Sequence, residues 1–160
     1  MDADGRVKVH GPTRSDPSVN PGRTGPFWDS VDGRAPIPPA AATLGLEIME
    51  IDGERGTAVL AFTGTEAFTN PMGEVLGAFL AAMLYDTVGP TLLATLGPEE
   101  FQSTLSLDVT FVKAARPGRF TGTGRVVRRQ GDTALLEGSL ADSAGDVVAT
   151  ATATAAVIAR

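Results

Sequence analysis

The fold turns on NPMGEVLGAFLAAMLYDTVGP, residues Asn70 to Pro90. The stretch opens on Asn70, Pro71 and two glycines, Gly73 and Gly77. It then runs through Val75, Leu76, Phe79, Leu80, Met83 and Leu84 to Tyr85 and Asp86, side by side. At about 100° per residue, those apolar side chains cover most directions around a helix rather than one stripe. A helix of that kind is enclosed by protein, not laid on a surface. The run is too short to cross a bilayer, which takes about 20 residues. The helix is expected to begin near Asn70. Asn70 then serves as a capping side chain, and Glu74 sits in the first turn, where a negative charge suits the helix dipole.

On either side the periodicity changes to two. Upstream, Leu44, Leu46 and Ile48 alternate, DGE forms a turn, and Ala58, Leu60 and Phe62 alternate again, which is a hairpin signature. Downstream, STLSLDVTFVKA places Leu105, Leu107, Val109 and Phe111 on one side and Thr104, Ser106, Asp108 and Thr110 on the other. ARPGR reads as a type II turn with Pro117 and Gly118 in its centre. FTGTGRVVRRQ, TALLEGSLAD and VVATATATAAVIA are three more strands, with QGD and DSAGD between them. The predicted order is a hairpin, one long helix and a meander of about four strands. That is an α+β domain with an antiparallel sheet of five to six strands around one buried helix. Small residues, Gly122, Gly124 and the ATATATAA alternation, let such a sheet curve closely round the helix. Apolar residues recurring on the other sheet face predict a dimer or tetramer.

The amino-terminal part is of another kind. Residues 1–25 are rich in Gly, Pro, Asp, Arg and Ser and are expected to form a flexible leader, with one domain over 26–160. PFWDSVDG predicts a helical turn with Phe27, Trp28 and Val31 on one side, and RAPIPP an extended passage. The chain has 160 residues, a net charge of -6, no cysteine and one histidine, His10. That balance excludes a general nucleic-acid binder and a thiolate nucleophile, and it leaves no basis for a His-based triad or a metal centre. No apolar signal segment opens the sequence, so a cytoplasmic protein with no membrane association is expected.

The quoted helix, FWDSVDGRAPIPPAAATLGLEI before the first strand and DVTFVKAARPG after the third resemble the PaaI-like group of hotdog-fold acyl-CoA thioesterases. The resemblance covers roughly residues 27–158. It implies thioester hydrolysis, with coenzyme A present only as part of the substrate and no other cofactor. The family pattern, approximately N-P-x-G-x-x-(H/Q)-G-G-x-x-x-x-x-L-D, matches at Asn70, Pro71, Gly73 and Gly77. It departs at Leu76, Ala78 and Tyr85, which stand where the family has His or Gln, a second Gly and the acid. Asp86 matches the second of two acids that many relatives carry. A polar strand position falls on Thr104.

By this resemblance the Gly77 N–H is the oxyanion donor, and Gly73 and Ala78 border the substrate. Asn70 and Thr104 hold substrate or water, or else serve the loop and the strand. A phenol is a poor base at neutral pH, so either Asp86 supplies the base or the reaction is lost or changed. In the second case the protein binds acyl-CoA or an acyl carrier without hydrolysis. Asp86 lies about 100° round the helix from Tyr85, so its arrival in the site calls for a π-bulge or an early helix end near Pro90. Lys113, Arg116 and Arg119 round the Pro117 turn, and Arg125, Arg128 and Arg129 on the next strand, are the cations available for coenzyme A phosphates. Arg116, Arg119 and Arg128 are the substrate-binding candidates, each also readable as part of a solvated strand face.

Overall fold

A computed structural model describes residues 6–8, 10–11 and 19–160 of the chain. The remainder of the 1–25 leader lies outside the described residues. Helix α1 (Pro26–Val31) and helix α2 (Pro39–Thr43) precede the sheet, and each starts on a proline, whose fixed φ suits a first helical turn. Trp28 and Val31 of α1 are buried, as their spacing predicts. The strands are β1 (Glu47–Asp52), β2 (Thr57–Gly64), β3 (Glu100–Phe111), β4 (Gly118–Gln130), β5 (Thr133–Ala141) and β6 (Val147–Ala159). The long helix α3 runs from Gly77 to Leu93 between β2 and β3.

All six strands form one antiparallel sheet in the order β1-β2-β4-β5-β6-β3. The predicted four-strand meander is therefore three strands, β4 to β6. Strand β3 pairs with β6, and the chain then crosses from the sheet's edge to its interior, beside β2. ARPG is part of that crossover and not a hairpin turn. Gly118 has φ 149, far from the roughly +80° of a type II turn, and it opens β4. The crossover is pinned to the loop before α3, where the Val75 N–H donates to the Ala115 carbonyl at 2.8 Å.

The sheet wraps α3, which packs against β2 through β6. Leu80, Met83, Leu84, Val88 and Leu92 are buried between helix and strands. Close approach depends on glycine: a Cβ on Gly122 would run into Thr87 Oγ1, and one on Gly124 into Thr91 Oγ1. Those hydroxyls stay satisfied in the core by donating to the Met83 and Thr87 carbonyls, at 2.8 and 2.7 Å.

Strand β3 departs from simple alternation. Thr104 pairs with Ala155 and Ser106 with Thr154, so Leu105 is an extra residue in a bulge. Leu105 is exposed, and the parity switches across it. Gln102 and Thr104 are buried or half-buried ahead of the bulge, Leu107 and Val109 half-buried behind it, and the Phe111 ring lies against Gly77. At the opposite edge, the described leader residues pair with β1: Ile48 donates to Lys8 and His10 donates to Ile48, both at 2.9 Å.

Candidate active site

Two features of α3 bear on chemistry, one at each end. At the start, the helix begins at Gly77, later than the expected Asn70. Residues 69–75 are tied into a loop by a bridge between Thr69 and Val75 and by Gly73, whose φ of 74 suits glycine. Asn70 closes that loop instead of capping the helix. Its Oδ1 accepts from the N–H groups of Met72 (2.9 Å) and Glu74 (3.1 Å). Leu76 is the N-cap residue and offers no side-chain cap. The Gly77 and Ala78 N–H groups therefore open the helix with no acceptor among the described residues. Aligned N–H groups and the positive end of the helix dipole there suit a developing oxyanion. The absent side chain at Gly77 serves packing too, since a Cβ there would lie 3.1 Å from the Phe111 ring.

Further along the helix is a cleft of about 280 Å³. Val31, Ile37, Ala41, Leu46 and Ile48 make its apolar wall, while Tyr85, Asp86, Gly89 and Pro90 of α3 face them. Asp86 Oδ2 is buried there with no hydrogen-bond partner. Burial pushes the Asp86 carboxyl up to about 6 from its ordinary 3.8. Tyr85 borders the same cleft and is 48% exposed. No π-bulge brings Asp86 round: α3 is α-helical from Gly77 through Leu93, with Pro90 inside it. The cleft is wide enough to take in both neighbours, because α1, α2 and β1 bound it on the side toward which Asp86 points.

Thr104 is half-buried on β3, on the same side of the strand as Gln102. Its hydroxyl donates to Gln102 Oε1 at 3.2 Å. Gln102, which also lines the cleft, has no counterpart among the sequence candidates. It sits at the parity opposite to the apolar residues of β3, so alternation alone hides it.

The arginines do not form one cluster. Arg116 is exposed beside the α3 start, its Nη1 3.4 Å from where a Gly73 Cβ would be. Arg119 is paired with Glu47 at 2.8 Å, and Arg125 and Arg129 with Glu137 and Glu100. Lys113 bonds Asp146 at 2.8 Å. Arg128 is twelve residues from Arg116 along a strand that rises about 3.3 Å per residue, so the two lie near opposite ends of β4.

One sheet wrapped round one long helix is the hotdog fold. Residues 66–156 match the family of acyl-CoA thioesterase N-terminal domains. A phenylacetic acid degradation-related protein from Ralstonia eutropha JMP134 is 38% identical, with a TM-score of 0.79 over 81% of this chain and 98% of that one. PaaI from the phenylacetic acid degradation operon of E. coli shares the fold at 17% identity, with a TM-score of 0.73 over 82% and 93%. A thioesterase family protein from Silicibacter pomeroyi does so at 22% and 0.72, over 77% and 91%. No curated protein compared with the chain matches it. The chain belongs to the PaaI-like, hotdog-fold acyl-CoA thioesterases.

Proposed function

We propose that this protein hydrolyses acyl-CoA thioesters, with the Gly77 N–H of one copy polarising the carbonyl and Asp86 of a second copy activating water. One observation carries the reading. Asp86 presents a buried, unpaired carboxylate oxygen to an apolar cleft, which makes it a base matched to neutral pH. Gly77 and Asp86 are nine positions apart on one straight helix, about 13 Å along its axis. They cannot meet one carbonyl within a single chain.

Two surfaces support a second copy. Strand β3 spans twelve residues and, among the described residues, pairs on one side only, with β6, leaving a row of backbone groups on its other edge. Helix α3 leaves Ala78 and Tyr85 exposed and Ala81 half-buried, the two alanines too small to hold a neighbouring helix away.

In the reaction, water loses a proton to Asp86 and its oxygen attacks the carbonyl carbon. The oxyanion accepts hydrogen bonds at the partner's helix start. Collapse breaks the C–S bond, and the proton passes from Asp86 to the departing thiolate, leaving free acid and coenzyme A. The acyl group occupies the apolar part of the cleft, bordered by Tyr85. Arg116, unpaired among the described residues and beside Gly73, is placed for a coenzyme A phosphate at the other copy's helix start. Two structural relatives are named for phenylacetic acid degradation, so arylacetyl-CoA is the first acyl class to assay.

Tyr85 at the family's acid position favours a second reading, binding without turnover. Free-thiol release across short, medium, long and aromatic acyl-CoAs separates the two. Turnover by wild type, with a loss of about 10²- to 10⁴-fold in Asp86→Asn, supports hydrolysis with Asp86 as base. Inert wild type and an active Tyr85→Asp would support the binding protein, and undiminished Asp86→Asn would remove Asp86 from the mechanism.

A further inference from the structure

Part of the leader joins the sheet. Residues 7–10 read VKVH, apolar and polar in alternation, inside a segment otherwise rich in Gly, Pro and charge. Ile48 of β1 donates its N–H to Lys8 O and accepts from the His10 N–H, both at 2.9 Å. A single residue bonded in this way to two residues spaced two apart marks a parallel pairing. Strand β1 ends the sheet and has β2 on its inner side, so the described leader residues lie along its outer edge.

That register fixes the faces. It sets Val7 beside Leu46 and Lys8 beside Glu47. Leu46 and Ile48 are buried, and Val7 shares their side at 7% exposed. Lys8 and His10 take the other side, each with a side-chain nitrogen 3.9 Å from a Glu47 carboxylate oxygen. Gly11 continues the contact: a Cβ there would run into the Met49 carbonyl and the Glu50 Cα. Val7 also lines the cleft, in the apolar wall that faces α3. Among the described residues it is the one part of that lining drawn from the leader. Every other residue of the wall comes from α1, α2, β1 or the links between them.

We propose that the leader, added to the sheet as a parallel edge strand, completes the acyl site through Val7 and sets the length of acyl chain that the site turns over. The inference rests on the reading above that the acyl group lies in this cleft. A saturated chain gains free energy as it covers apolar wall, until it meets a side chain in its way. Val7 is β-branched and stiff at χ1, and it is packed beside Leu46. Its two methyl groups fill room that about two more methylenes of a longer chain would need.

Thiol release from even-numbered saturated acyl-CoAs, acetyl to dodecanoyl, tests this with wild type, Val7→Ala, Val7→Phe and Lys8→Ala. Val7→Ala should move the preferred chain about two carbons longer, its kcat/KM on that chain rising about tenfold relative to the wild-type optimum. Val7→Phe should lower kcat/KM at the wild-type optimum about tenfold or more. Its turnover of acetyl-CoA should stay near wild type, which also shows that the variant folds. Lys8→Ala, on the same stretch but the opposite face, should keep the wild-type profile. An unchanged profile in both Val7 variants, or an equal fall at every chain length, would overturn this inference and leave the thioesterase reading intact. A shift in Lys8→Ala as large as that in Val7→Phe would overturn it too, since the effect would then follow the leader's attachment and not the wall. Wild type inert on every acyl-CoA would overturn the parent reading, and this one with it.

Discussion

At the residue scale the molecule is organised by one carboxylate. Asp86 has a folded-state value of about 6 against an ordinary 3.8, so ionising it costs more in the folded chain than in the unfolded one. Two expectations follow at this scale. As a base it must be ionised, so kcat/KM should rise with pH through an inflection near 6 and level off above about 7; a flat profile across that range would exclude it. Its burial should also make wild type lose stability relative to Asp86→Asn as pH climbs from about 4 to about 6. The loss is at most on the order of 3 kcal/mol and is complete above about 7. Denaturant unfolding of both proteins at pH 4.5 and pH 8 reads that difference. The sequence points to Tyr85 and Asp86 as a pair but not to the breadth of the cleft, because its far wall comes from α1, α2 and β1, remote in the chain. Gln102 is hidden for a different reason: a bulge, invisible to period-two counting, reverses which residues of β3 turn inward.

Among the elements, α3 carries most of the interpretable physics. Its apolar residues announce an enclosed helix, and that is how it packs. Its start is less legible, since Asn70 and Pro71 look like a helix opening until the bridge between Thr69 and Val75 ties them into a loop. Gly77→Pro removes the proposed oxyanion donor but also sets a Cβ 3.1 Å from the Phe111 ring, so it is read against Gly77→Ala, which adds the same Cβ and keeps the N–H. Proline suits the first helical position, and Leu76 at φ -55 and ψ 134 already has the conformation a following proline demands. We expect a folded protein with kcat reduced about 10²- to 10³-fold; near-normal kcat would mean that the N–H is not used. Helix and sheet meet at Gly122, where an alanine Cβ would strike Thr87 Oγ1. Gly122→Ala should cost about 1–3 kcal/mol, and Thr87→Ala in the same chain should recover part of it, a coupling that a double-mutant cycle in urea would show.

For the whole molecule, the strand count and the antiparallel sheet are legible because alternation and turn residues are local signals. The strand order is not. Nothing near β3 says that it will pair with β6 and leave β4 to β2, since those pairings are chosen by burial across the whole sheet. The proposed sharing of a site between two copies makes a prediction at this scale. Co-expressed Gly77→Pro and Asp86→Asn chains, each defective alone, should regain activity when mixed. Half of randomly formed dimers are mixed and each holds one intact site of two, so about a quarter of wild-type turnover is expected. No recovery in isolated mixed dimers would overturn the shared site.

The extra residue at Leu105 acts on β3 as a frameshift acts on a message. Everything before it is read in one phase and everything after it in the other. In relatives without the insertion, an ungapped alignment anchored on the second half of this strand would set inward-facing residues against Phe101 and Ser103, although their structural equivalents here are Gln102 and Thr104. Aligning such chains by hydrophobic pattern alone would match the wrong residues to Gln102 and Thr104. Deleting Leu105 itself would restore simple alternation and keep Gln102, Thr104 and Leu107 on one face, because Thr104 and Ser106 already pair with adjacent residues of β6.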